Sequence, residues 1–350
     1  MSNMARVPML GALPARDNGF NSIRIIAALA VLVSHSFALT GSTEPLERTT
    51  GGTTLGNLAV AVFFIISGYL IAASFARSSP ADFVEKRARR IMPGLAVAII
   101  LSVLVLGPAV TRLPLTTYFH SPETWRYLLG MVFVGRHELP GVFVGQPNGG
   151  VNGSLWTLKF EVASYGLAMV LMAAGRWRVV TVATAWALCM ATAHLLDGRQ
   201  SGVSYYLAQM VGLFRFFAAG MLVWLGRDRL PIHRGAGAVA LLAVVGAAFT
   251  PWFCEVVATA GTYGLMVFAF TCPTWFRRLT ERGDISYGTY IYAFPIQQVL
   301  VQWCLGSAAP WVWNIALALP LTLAAGALSW VLVESRCLAT AAPMDTSYRI

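Results

Sequence analysis

Residues 20–40, FNSIRIIAALAVLVSHSFALT, decide how the chain folds. An apolar run of about 20 residues is long enough to cross the hydrocarbon core as a helix. Inside the run sit Arg24 and His35, two groups that lipid rejects. Their spacing of eleven is about three helical turns, so both project from nearly one face, roughly 16 Å apart along the axis. An ionisable residue within a span costs a few kcal/mol and faces a polar cavity or a partner. Two readings stand for His35. It is hydrogen-bonded to a neighbouring helix while Arg24 snorkels to the interface, or the two belong to a working site.

The rest of the chain has the same character. Of 350 residues, 57% are hydrophobic and 11% charged, where soluble domains carry about 25% charged residues. Hydropathy marks ten candidate spans, at about 20–40, 55–76, 91–110, 154–174, 178–196, 206–225, 236–250, 252–271, 285–305 and 311–333. The seventh is short and is divided from the eighth only by Thr250-Pro251, so nine is the alternative count. With the N-terminus inside, cytoplasmic segments hold eighteen of the 25 Lys and Arg residues and outer segments hold five, with Lys159 and Arg215 inside spans. This bias agrees with the positive-inside rule. The expected fold is therefore an all-α polytopic membrane bundle of about ten helices with both termini cytoplasmic. Residues 1–19 form a cytoplasmic N-terminal segment, 20–335 the transmembrane domain and 336–350 a cytoplasmic tail. Topology accounts for most of the net charge of +10, and no nucleic-acid partner is needed.

The first apolar run is too long for a signal-peptide core, and it reads as an uncleaved anchor. Five scattered cysteines have no metal-ligand spacing and imply neither a disulfide framework nor a metal site. The longest outer loop, about 111–153, carries an apolar patch, WRYLLGMVFV, too short to span and suited to an interfacial or re-entrant position. A loop of that length either shapes an extracytoplasmic acceptor site or is a mere covering lid.

Several polar residues could carry chemistry. Ser67-Gly68-Tyr69 lies mid-span in VFFIISGYLIAA, where small residues let another helix backbone approach. Arg87 and Arg90, three apart before Pro93, share a helix face. They either anchor the cytoplasmic end or grip a phosphate-rich ligand through paired hydrogen bonds. In NGGVNGSLWTLKFEVASYGL, Asn152 and Ser154 suit an N-cap, Trp156 suits the interface, and Glu161 falls about seven residues into the helix with Tyr165 at i+4. A carboxylate at that depth needs a cation, a donor or a proton of its own. An ion pair with Lys159 or Arg215 is the structural reading. Arg215, near the centre of LAQMVGLFRFFAAGMLVWLG, should face the bundle interior. By helical rise His35 and Glu161 reach similar depths in the outer half of the bilayer, while Arg24, Arg87 and Arg90 gather at the inner face. A neutral imidazole can take a proton from a hydroxyl. The same residue types would also serve a proton-coupled transporter.

Five pieces together resemble the acyltransferase-3 family of bacterial polytopic membrane acyltransferases, over about residues 20–335. They are Arg24 followed eleven later by His35, FFIISGYLI, RARR with Arg87 and Arg90, NGSLWTLKFE ending at Glu161, and ISYGTYIYAFPI. The resemblance implies transfer of an acyl group, usually acetyl from acetyl-CoA, to a hydroxyl of a cell-envelope or exported glycan at the bacterial cytoplasmic membrane. It makes His35 the catalytic base, Arg24 and Glu161 essential supporting residues, and Arg87 with Arg90 the coenzyme A phosphate pair. Acyl-CoA is then a donor substrate and no cofactor is tightly bound. Ser67, Tyr69 and Asn152 are candidate oxyanion donors, and Trp156 and Arg215 candidate support. Two departures stand out. Many relatives have a histidine in the late segment where this chain reads Tyr292-Ala293-Phe294-Pro295, and the usual E-x-P near the last span is Glu334-Ser335-Arg336. The alternative function is a glycan or glycolipid transporter without covalent chemistry.

Overall fold

The computed structural model describes residues 8–14, 18–134, 137–196, 202–281 and 283–339. The expected terminal segments 1–19 and 336–350 lie partly outside these. Among the described residues the chain is helical, with one isolated β-bridge between Met9 and Pro231. The ten expected spans all appear as helices: α1 (Phe20–Leu39), α2 (Leu55–Phe75), α3 (Pro80–Val110), α4 (Gly153–Met172), α5 (Gly175–Leu196), α6 (Gly202–Leu225), α7 (Arg234–Ala247), α8 (Phe253–Thr271), α9 (Ser286–Cys304) and α10 (Pro310–Leu338). Eight of them are long and apolar enough to cross a membrane. The exceptions are α7, with 14 residues, and α9, with 19. The latter is long enough but carries the adjacent pair Gln297-Gln298, both fully buried. Three helices, α3, α8 and α10, each include a π-turn, at Ser102–Leu106, Val257–Gly261 and Trp330–Glu334.

The contacts divide the chain into two units. The first comprises residues 1–24, 60–83 and 160–281, and so most of α2 and α4 together with α5 to α8. Within it α2 and α6 approach backbone to backbone. A Cβ added at Gly68 would stand 1.9 Å from the Phe217 carbonyl oxygen, and one at Gly220 would stand 2.0 Å from that of Ile65. Each helix thus buries its glycine against the other's backbone, the small-residue contact expected around Ser67-Gly68-Tyr69. The start of α1 is tied down within the same unit by the Ser22 hydroxyl, which donates to the Phe276 carbonyl at 2.6 Å.

The second unit comprises residues 25–59, 84–159 and 282–350, which hold most of α1 and α3, all of α9 and α10, and the long loop. The loop's apolar patch does not span. It forms two short helices, Pro122–Arg126 and Tyr127–Val132, with Trp125, Leu129, Val132 and Val134 exposed, as an interfacial segment requires. Glu44, buried to 4% exposure, accepts from the Ser34 hydroxyl and from the Leu55 amide, so one carboxylate caps α2 and holds α1.

Replacing Gly68 by Ala forces α2 from α6 and costs about 1–3 kcal/mol. Thermal unfolding in detergent should show a clear fall for Gly68→Ala and none for Gly166→Ala, where a Cβ meets nothing within 4 Å.

Candidate active site

In the first unit the deep carboxylate is held by hydroxyls. Glu161 Oε1 accepts from Tyr165, one turn on in α4, and from Ser67 of α2 at 3.3 Å. The i+4 tyrosine anticipated from the sequence is therefore a partner. Ser67, a candidate oxyanion donor, directs its hydroxyl to this carboxylate. Arg215 does not serve Glu161. It is 9% exposed and pairs with Glu255 of α8 at 2.9 Å, while its Nε donates to the Gly212 carbonyl at 3.1 Å. Glu255 also faces His194 Nε2 of α5 at 3.1 Å. Tyr69 is buried with its ring centroid 5.4 Å from Phe20 and 6.0 Å from Phe270, an aromatic packing role. Arg24 is half-buried in the second turn of α1, at the end of this unit's first segment.

In the second unit His35 is half-buried, and its ring stands edge-on to Phe294 of α9 with centroids 5.1 Å apart. Its Nδ1 is buried and has no hydrogen-bond partner. The serines on either side fix the helix here. Ser34 donates to Glu44, and Ser36 donates to Asn314 Oδ1 of α10 at 3.0 Å. Gln297 of α9 donates to Ser36 Oγ at 2.7 Å and to the Leu32 carbonyl at 2.8 Å, and Asn314 Nδ2 donates to the Gln297 carbonyl at 3.1 Å. This amide–hydroxyl lock joins α1, α9 and α10 beside His35. Sequence reading missed it, although the Ser-His-Ser triplet and the buried-strength pair Gln297-Gln298 were visible signals.

Pro295 sits inside α9 and lacks an N–H, so the carbonyl of Ile291 loses its helical partner. Asn152 supplies the missing donor, its Nδ2 lying 2.8 Å from that oxygen, while its Oδ1 caps Ser154 N at 3.1 Å. The carboxamide proposed as an oxyanion donor thus bonds backbone at both ends. Tyr290 adds a bond to the Ser154 carbonyl at 2.9 Å, and Gln298 donates to the Asn148 and Gly150 carbonyls at 2.7 and 2.6 Å. The end of the long loop is stitched along α9. Trp156 lies half-buried in the 3₁₀ turn Gly153–Thr157 that opens α4.

At the other end of α3 the two arginines differ. Arg90 pairs with Asp284 and, at 3.5 Å, with Glu334, and its guanidinium lies 5.9 Å from the ring centroids of both Tyr287 and Trp330. Both carboxylates are nearly inaccessible, at 4% and 1%. Glu334 keeps this partner without the proline that usually follows it by two. Arg87, three residues earlier, is half-buried on the same helix. Among the described residues no cluster of His, Cys, Asp and Glu could hold a metal ion.

A polytopic helical membrane protein with a half-buried imidazole and a hydroxyl-bound carboxylate in its spans is the class this architecture defines. The family described as an acyltransferase domain matches residues 17–332, and the chain belongs to it. It is 32% identical to an O-acetyl transferase of Shigella phage Sf6 over 94% of this chain and 98% of that protein. It is 29% identical to nodulation protein 10 of Rhizobium leguminosarum bv. viciae, over 91% and 92% of the two chains. It is 25% identical to the exopolysaccharide production protein ExoZ of Rhizobium meliloti strain 1021, over 70% and 78%. No solved structure matches.

If Asn152 exists to satisfy the Ile291 carbonyl, Asn152→Ala costs about 1–3 kcal/mol, the penalty of a buried acceptor left unpaired. In a Pro295→Ala background, where the helix regains its own donor, that loss should shrink to a fraction. A double-mutant cycle on thermal unfolding measures the coupling.

Proposed function

We propose that the protein is a membrane O-acetyltransferase that moves acetyl from cytoplasmic acetyl-CoA to a hydroxyl of an exported or cell-envelope glycan, in a bacterial cytoplasmic membrane. Membership of the acyltransferase family supports acyl transfer. The names of the phage O-acetyl transferase and the exopolysaccharide production protein support the oxygen acceptor and the polysaccharide. The charge bias of the loops supports a donor arriving at the end of α3 that carries Arg87, with both termini on that side.

The single observation that carries the mechanism is the imidazole of His35, which keeps a buried ring nitrogen free of any hydrogen-bond partner while the hydroxyls of Ser34 and Ser36 on either side are bonded. A histidine kept only for structure would spend that nitrogen. As a general base, His35 takes the proton of the acceptor hydroxyl as its oxygen bonds to the thioester carbonyl carbon. The tetrahedral adduct then collapses, the carbon–sulfur bond breaks, and the coenzyme A thiolate leaves with the proton returned from His35. Glu161 and Arg24 are the supporting charged groups that the family motifs single out. Arg87 is the phosphate contact for the donor. Arg90, neutralised by Asp284 and Glu334, shapes that end of the helix and contributes less charge to an incoming anion.

His35→Ala should lower acetyl transfer by about 10²–10⁴-fold with membrane insertion unchanged, measured by acetyl incorporation into polysaccharide. Activity at the wild-type level removes His35 as base. Arg87→Ala should raise the KM for acetyl-CoA about ten- to hundredfold, as expected for loss of a charge-assisted bond of about 1.5–3 kcal/mol, with kcat changed less.

A further inference from the structure

One cavity in the second unit has no part in the scheme above. It measures about 230 Å³ and lies between the end of α3, the loop at 143–146 and the last turn of α9, lined by Val110, Arg112, Phe143, Gln146, Gln302 and Leu305 among others. It sits at the opposite end of α3 from Arg90, about 30 Å away by helical rise. We propose that it is an acceptor subsite that captures one anionic sugar ring of the glycan. This inference rests on the O-acetyltransferase reading and names the class of acceptor.

Four observations carry it. Arg112 is exposed and has no ion-pair partner among the described residues, whereas Arg126 of the same outer loop pairs with Glu123 at 2.6 Å. The Arg112 guanidinium borders the cavity with its charge uncancelled, so its paired N–H donors are available to a ligand anion that displaces water. Second, Gln146 lines the cavity and donates to the Gln298 carbonyl at 3.3 Å, while its Oε1, buried beside the cavity, has no hydrogen-bond partner. Third, the loop is held in costly backbone shapes to form that wall. Phe143 is buried at φ 52°, a conformation rare for a bulky residue. Fourth, the lining chemistry suits a pyranose. Guanidinium and carboxamides bind an acidic group and hydroxyls, while Phe143, Val110 and Leu305 face the ring's C–H side. The volume lies below the 300–1,000 Å³ typical of drug-sized pockets and fits a single ring.

The placement follows from α9. Phe294, which meets His35, Gln298, which pins the loop, and Gln302, which lines the cavity, recur every four residues along one stripe. Gln302 is therefore about 12 Å beyond the level of Phe294. That exceeds one ring, so the anionic sugar held by Arg112 is a different unit from the one acetylated at His35.

The test uses full-length protein in lipid nanodiscs and saturation-transfer NMR with three probes: glucuronate, glucose 1-phosphate and glucose. Wild type should saturate at least one anionic sugar and discriminate against glucose. Arg112→Gln should weaken the anion signal at least tenfold, and Gln146→Leu should weaken it with Arg112 intact. Preference for glucuronate assigns a carboxylate acceptor, and equal or stronger binding of the phosphate assigns a phosphorylated one. Equal signals from glucose and both anions, no signal from either anion, or an Arg112→Gln variant that binds like wild type overturns the proposal. Release of coenzyme A thiol from acetyl-CoA, followed in the same samples, separates the two readings. Thiol release with no anion discrimination defeats the subsite alone, while Arg112-dependent anion binding with no thiol release under any acceptor defeats the transferase reading.

Discussion

Inside hydrocarbon no water is at hand for a backbone group that its own helix fails to bond, so every interruption of a helix must be met by a named donor or acceptor. The bond from Asn152 to the Ile291 carbonyl is where this constraint organises the second unit. Pro295 breaks the ladder of α9, and the asparagine that repairs it is also the cap that starts α4. One carboxamide therefore ties the entry of one helix to the weak point of another. Gln298 and Tyr290 extend the seam on both sides of it. A proline in a span would be a defect in isolation. Here it fixes where the long loop must return, and it sets Phe294, the residue just before it, against His35.

The charged groups obey the same rule with larger energies. Arg215 in α6 is matched by Glu255, and Arg90 by two carboxylates between aromatic rings. Removing one member of such a buried pair strands the other, which is costlier than never having had the pair. These clusters are accordingly fixed points. Glu161 is handled differently, with two hydroxyl donors and no cation among its bonded partners in the first unit. Hydroxyls hold a carboxylate in place without cancelling its charge. That leaves it electrostatically available, as a residue that supports proton transfer requires.

Much of this was legible in the chain itself. Ten apolar segments of helical length, with arginines biased to one side, point to the bundle, because the bilayer imposes both signals directly. Glu161 with Tyr165 followed from helical spacing, and Gly68 as a close-contact position from its small size in mid-span. The partner of Arg215 did not, since Glu255 lies forty residues away and only tertiary packing brings it near. Nor did the dual use of Asn152, whose capping role is local while its bond to Ile291 spans 139 residues. Arg87 and Arg90 read as a pair, yet their surroundings divide them. Asp284 and Glu334 come from α9's approach and the end of α10, and no local pattern joins those positions to RARR.

The division of labour along α3 and α9 gives the two ends of the second unit opposite electrostatic designs. At one end Arg90 is enclosed by acids and aromatic rings, so its charge is spent on holding three helices together. At the other, Arg112 is exposed with no ion-pair partner among the described residues, and the buried oxygen of Gln146 lacks a hydrogen bond beside a small cavity. An enclosed cation fixes the helices around it, whereas an exposed one is stabilised by water and costs the fold little. The two ends of the second unit therefore differ in kind: one is locked by buried ion pairs, and the other keeps its charge at the surface beside a cavity.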